Sequence, residues 1–215
     1  MTKILIATKN DGKAREYRRL FEPKGIEVIT LKDLNEQVEI IENGKTFSEN
    51  ALIKAQTLTN KLNIPVLADD SGLVVDALNG APGIYSARYA GDHDDEANNK
   101  KLLEELKKVP DEKRTAHFHC SIVATAPDQT PLEANGGVYG LIAHEKHGED
   151  GFGYDPLFYY PEFGKTFGEI DKTGRLSTGK GAAGNVIEES WFGYRPNSDP
   201  TPDFEEAGVE LKVTP

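Results

Sequence analysis

The sequence predicts an α/β fold, a central mixed sheet flanked by helices. Two observations carry this. Strand-like and helix-like segments alternate through residues 1–170, the pattern of helices packed on a sheet. The longest apolar runs, Ile4 to Ala7, Ile64 to Ala68 and Ser121 to Ala126, suit buried strands and fall far short of the ~20 residues a membrane helix needs. At 215 residues the chain can bury a substantial core as one large domain, or one domain with a small lobe.

The elements follow in order. Lys3 to Ala7 reads as a buried strand. Lys13 to Lys24 places Ala14, Tyr17, Leu20 and Phe21 at helical spacing, which predicts an amphipathic helix. Thr46-Phe47-Ser48-Glu49 matches a capping box, and Phe47, Ala51, Ala55, Leu58 and Leu62 continue along one helical face. Pro65 closes that helix, and Val66 to Ala68 is the next buried strand. Asn98 to Lys108 forms a third helix with Leu102, Leu103 and Leu106 inward. Arg114 to Thr125 alternates Ala116, Phe118, Cys120 and Ile122 with polar residues, the mark of a strand with one wet face. His117 and His119 share that wet face. Their spacing fits either a metal pair or, as the plainer reading, an ordinary strand surface. Asp92 to Glu96 reads as a solvated helix start, His144 and His147 as an exposed loop, and Leu157 to Tyr160 as a late strand. From Gly174 onward Gly and Pro accumulate without a helical period, so residues 181–215 read as an atypical tail beyond a domain spanning 1–180.

Composition narrows the function. With 36 acidic and 25 basic side chains the net charge is −11, which disfavours a broad nucleic-acid surface. A small anionic ligand then needs local lysines, a helix N-terminus or a divalent cation. Met1-Thr2-Lys3 runs straight into the first strand, leaving no room for a signal peptide, and Cys120 is the single cysteine. Both point to the cytoplasm and away from a membrane.

Three constellations could carry chemistry. Thr8, Lys9, Asn10, Asp11, Gly12 and Lys13 lie where a buried strand gives way to a helix. Unpaired N–H groups, a close-approach glycine and a mobile ammonium there suit a polyphosphate, although an ordinary polar turn has the same composition. Asp69-Asp70-Ser71-Gly72 follows a buried strand at its carboxyl end, where open α/β sheets bind ligands. Two adjacent carboxylates there call for a compensating cation such as hydrated Mg²⁺, and a plain turn is the alternative. Phe152, Gly153, Tyr154 and Asp155 combine aromatics, flexible backbone and a carboxylate, fit to stack and hydrogen-bond a base or simply to anchor a loop.

These segments are collinear with Glu42, with Thr46 to Ala51, with Ala81-Pro82-Gly83-Ile84-Tyr85-Ser86-Ala87-Arg88-Tyr89 and with Phe118-His119-Cys120. In that order and spacing the chain closely resembles the non-canonical purine nucleoside triphosphate pyrophosphatases, also called inosine triphosphate pyrophosphatases, over roughly residues 1 to 170. The resemblance implies a homodimer of elongated two-lobed subunits, each with a mixed sheet and a cleft between lobes. It implies Mg²⁺-dependent hydrolysis of ITP, dITP or XTP to the monophosphate and pyrophosphate. A nucleotide-binding protein of the same fold with little turnover is the alternative. By position, Thr8 to Lys13 grip the triphosphate, Glu42 and Asp70 hold Mg²⁺, Asp70 accepts the proton and Asp69 supports the pair. Ser71 touches the phosphates, Phe152 to Asp155 form part of the base pocket, and Lys172 matches the family lysine.

The resemblance then breaks. After that lysine the family shows Ser-His-Arg and a closing helix, whereas Thr178 and Gly179 follow Ser177 here. Gly174 to Lys180 spells a P-loop without its Ser or Thr, and neither a preceding buried strand nor a following helix supports one.

Overall fold

A computed structural model describes residues 2–9, 11–34, 38–92 and 94–170. They form a mixed α/β fold whose seven strands run in the order β2-β1-β3-β4-β5-β6-β7. The strands are β1 (Thr2–Ile6), β2 (Ile26–Thr30), β3 (Val66–Val75), β4 (Thr115–Thr125), β5 (Leu132–Ile142), β6 (Phe158–Tyr160) and β7 (Lys165–Thr166), and the helices are α1 (Asp11–Phe21), α2 (Phe47–Leu62) and α3 (Asp95–Glu105). β1 pairs in parallel with β2 and with β3, placing Leu5 opposite Ile29 and Val66. β6 is antiparallel to both β5 and β7. Among the described residues no helix is long and apolar enough to cross a membrane.

The chain divides into two compact units, Met1–Asp70 with Cys120–Asn135, and Ser71–His119 with Gly136–Pro215. In the first, α2 lays Ala51, Ala55 and Leu58 against Leu5, Val66, Ala68 and Val123. Ile6, Val28 and Leu67 form a second cluster, against which Tyr17 and Phe21 of α1 pack. In the second unit Leu102 and Leu106 meet Leu73, Val75, Val138, Leu157 and Phe158. α2 begins at Thr46, whose side chain accepts from the Glu49 N–H. The Glu49 carboxylate takes the Lys45 N–H instead of that of Thr46, so the cap is only half the expected box. The helix stops at Leu62 because Asn63 turns left-handed, with φ +54°, two residues before Pro65.

Three expectations are corrected. The strand expected over Val66 to Ala68 does not end there: Asp69 to Gly72, for which a plain turn was the alternative reading, lie within β3, which runs ten residues. Leu73 and Val75, both fully buried, need an extended backbone to reach the second core, and that carries the strand through the carboxylates. β4 has no single wet face: Cys120 and Ser121 are adjacent and both buried, and Val123 and Thr125 are buried too. Polar groups are tolerated there because they are paired, Thr125 with the Thr59 hydroxyl at 2.6 Å and Ser121 donating to Asn135 Oδ1 at 2.6 Å. The third helix starts three residues early, at Asp95, because Asp94 accepts the Ala97 N–H as its N-cap. β2 and β5 carry no clear alternation and were legible only after folding.

Candidate active site

In the first unit the two acidic residues of β3 are each matched to a lysine from a different helix. The side chain of Asp69 is 5% exposed and takes an ion pair from Lys13 in the first turn of α1. Its neighbour Asp70 accepts from Lys54 Nζ at 3.1 Å and from Asn50 Nδ2 at 3.2 Å. Lys54 Nζ lies a further 3.1 Å from Glu42. One ammonium therefore bridges Glu42 and Asp70. Successive residues of a strand point to opposite faces, so the adjacent aspartates recruit compensation from two directions.

Helix periodicity positions the second pair of partners. Asn50 and Lys54 are four apart on α2 and share a face. Asn50 is buried, and its Oδ1 also accepts the Gly44 N–H at 2.9 Å. That bond ties the segment carrying Glu42 to the helix. A Cβ on Gly44 would stand 2.7 Å from Asn50 Oδ1 and 2.8 Å from Glu49 Cβ, so the approach needs glycine.

Burial raises the pKa of Asp70 above the ordinary carboxylate value, with Lys54 and Asn50 opposing and Glu42 reinforcing. Burial alone would depress Lys54, yet Asp70 and Glu42 outweigh it and hold the ammonium above the usual lysine value. A carboxylate shifted toward neutrality and close to a fixed cation is a chemically poised group. Cys120 also faces this polar cluster: burial, then the charge of Asp69, pushes its thiol up to about 12.

Thr8 is buried at the end of β1, and its carbonyl accepts the Leu31 N–H at 3.3 Å. Lys9 is exposed, Asp11 and Gly12 open α1, and Asn10 lies outside the described residues. The loop from β1 thus reaches a helix N-terminus. Ser71 is exposed and belongs to the second unit, and Lys172 lies outside the described residues.

The second unit holds the aromatic loop. Phe152 is 63% exposed, whereas Tyr154 is buried and its hydroxyl donates to the Ser86 carbonyl at 2.8 Å. Tyr154 thus anchors the loop, while the Phe152 ring stands largely exposed. Asp155 Oδ2 accepts the Phe152 N–H at 2.9 Å. Gly151, at φ +93°, leaves no space for a Cβ, which would fall 2.3 Å from that carboxylate. His117, which shares a strand with His119, stacks on Tyr139 at 5.0 Å.

Lys54, Asn50 and Gly44 escaped the reading of the sequence. The available signal was the polar pair at i, i+4 directly after the Thr46 cap, which the apolar stripe of α2 obscured.

Glu42 and Asp70 suit a hard divalent cation, because two carboxylates already converge on one positive charge. Among the described residues no three His, Cys, Asp or Glu side chains gather into a cage.

A model of the Ham1 family matches residues 4–180, and one described as DNA mismatch repair enzyme MutH matches residues 192–215 alone. A dITP/XTP pyrophosphatase of Listeria monocytogenes is 55% identical over 171 residues, covering 79% of this chain and 84% of that protein. One of Bacillus cereus is 46% identical over 200 residues, covering 89% and 97%. The Staphylococcus aureus Ham1 protein superposes with a TM-score of 0.76 at 44% identity, over 81% of this chain and 89% of that one. A nucleoside-triphosphatase, dITP/XTP pyrophosphatase, of Mycobacterium abscessus gives 0.73 at 40% identity, over 81% and 92%.

Proposed function

The chain belongs to the Ham1 family, and from that premise we propose that it hydrolyses purine nucleoside triphosphates, ITP, dITP and XTP, to the monophosphate and pyrophosphate, clearing them from the nucleotide pool. The observation that carries this is the convergence of Glu42 and Asp70 on the Lys54 ammonium. It assembles, in one unit, the carboxylates and cation that a triphosphate requires.

Glu42 and Asp70 would hold Mg²⁺, which when bound neutralises phosphate oxygens and the leaving group. Asp70 takes the proton of the water that attacks the α-phosphorus. Its raised pKa makes it a stronger base than an ordinary aspartate. Lys54 and Lys13 supply fixed positive charge toward the phosphates, the electrostatic contribution that dominates such transfers. Thr8 to Gly12 offer hydroxyl and N–H donors to phosphate oxygens, and the exposed Ser71 hydroxyl is a further phosphate donor. Phe152 stacks on the base, and Tyr154 keeps the loop in place. Lys172 adds a further positive group. The catalytic domain spans residues 1–180, and the enzyme acts as a homodimer in the cytoplasm.

Incubation with ITP and Mg²⁺, followed by separate assays for pyrophosphate and orthophosphate, tests the reading. Pyrophosphate with IMP is the expected product. Orthophosphate with IDP would make the protein a phosphatase, and the absence of any product would leave a binding protein.

A further inference from the structure

Gly153 adopts the left-handed conformation at φ +58°, and a Cβ there would meet nothing within 4 Å. Space does not hold this backbone in place; hydrogen bonds do. Its N–H donates to Asp95 Oδ2 at 2.7 Å, and its carbonyl accepts from Asn99 Nδ2 at 2.8 Å. Asp95 and Asn99 stand four apart at the start of α3 and so share one helix face. Together they fix the peptide planes on both sides of Gly153, directly after the exposed ring of Phe152.

Asn99 is 2% exposed, and its Oδ1 is the buried side-chain atom without a hydrogen-bond partner among the described residues. An apolar side chain would avoid leaving a buried acceptor unpaired, which costs desolvation. What the amide provides in exchange is the bond to Gly153.

We infer that Asp95 and Asn99 are positioning residues for nucleotide-base recognition: they clamp Gly153 so that Phe152 presents its ring to the base. This rests on the proposal that Phe152 stacks on the purine. Neither residue touches the base itself.

The test compares kcat and KM for ITP, inhibition by inorganic tripolyphosphate, and thermal stability in the wild type, Asp95→Ala, Asp95→Asn, Asn99→Ala, Phe152→Ala and the pair Asp95→Ala with Phe152→Ala. Asp95 is exposed, so its variants report even where Asn99→Ala fails to fold. Asp95→Ala and Asn99→Ala are expected to raise KM for ITP roughly fivefold to tenfold, the scale of one hydrogen bond, with tripolyphosphate inhibition moving less than about twofold. Asp95→Asn, whose amide oxygen still accepts from Gly153, restores KM. In the Phe152→Ala background Asp95→Ala adds nothing, because its effect passes through the ring. Equal shifts for ITP and tripolyphosphate, a change in stability alone, or multiplicative losses with Phe152→Ala would overturn the inference. An unchanged KM in Phe152→Ala removes the stacking proposal and this inference with it. A raised KM in Phe152→Ala beside a normal one in Asp95→Ala removes this inference only.

Discussion

Lys54 Nζ stands 3.1 Å from Asp70 Oδ1, so a residue in the middle of α2 is the countercharge of the carboxylate assigned as base. Because the same ammonium also meets Glu42, Lys54 occupies the electrostatic position that a divalent cation would share.

Replacing Lys54 with methionine keeps the stem that packs along α2 and removes the charge. Glu42 and Asp70 then face each other uncompensated, a like-charge contact that lowers stability without metal. Mg²⁺ no longer competes with an ammonium. We expect Lys54→Met to lower Tm in metal-free buffer and to gain more Tm from added Mg²⁺ than the wild type does. Equal Mg²⁺-induced shifts in the two proteins would separate Lys54 from the cation site.

Asp70→Asn is expected to lower kcat by roughly 10²-fold or more, the scale of a lost general base, while leaving the fold intact. Stability gives a second readout. The folded pKa of Asp70 is raised above the unfolded value of 3.8, chiefly by burial. A raised pKa favours the protonated folded form, so the ionised carboxylate diminishes stability as pH rises through the folded value. The amide escapes this loss. Metal-free Asp70→Asn is therefore at least as stable as wild type at neutral pH, and its relative advantage vanishes below pH 3.8, where Asp70 is protonated in both states. A variant less stable at pH 7 than at pH 3.5, relative to wild type, contradicts this sign.

Much of the candidate site is made of residues that stand out in the sequence, and the exceptions have physical causes. Thr8 to Lys13, Asp69 and Asp70 stood out because polar residues abruptly follow apolar strands. The strand at Val66 to Ala68 is read as ending before Asp69 because the residues that follow favour turns locally, whereas the burial of Leu73 and Val75 in the second core decides the backbone. Lys54 was invisible because its meaning depends on contacts 12 and 16 residues away, with Glu42 and Asp70. Asn99 reads as one more polar helix residue until Gly153 closes on it.

Lys13 has a structural role beside the phosphate-binding role proposed for it. Asp69 is nearly buried, and the Lys13 ammonium is its partner. Lys13→Ala is expected to weaken triphosphate binding far more than inosine binding, since a charged hydrogen bond contributes about 1.5–3 kcal/mol. It also leaves a buried carboxylate uncompensated and lowers Tm. Adding Asp69→Asn to Lys13→Ala should recover the Tm and leave triphosphate binding weak. Recovery of both would mean that Lys13 acts on the substrate only through Asp69.

Base selectivity is the property most exposed to the departure at Thr178 and Gly179, which lie outside the described residues. A site that donates hydrogen bonds to a 6-oxo purine rejects a 6-amino purine, because mismatched polar groups go unpaired. Losing one charge-assisted donor, about 1.5–3 kcal/mol, corresponds to roughly 10- to 150-fold in selectivity. With His and Arg absent from those positions, we expect discrimination between ITP and ATP to rest more heavily on Phe152 and its loop. Phe152 is largely exposed, so Phe152→Ala alters no core packing and its effect reads out recognition. The expected order of kcat/KM for ITP over ATP at fixed Mg²⁺ is Thr178→His with Gly179→Arg above wild type, and wild type above Phe152→Ala. A wild type that already discriminates strongly, and gains nothing from the double change, would assign the reading of the 6-position to another cation of the chain, with Arg175 and Lys180 the first to replace.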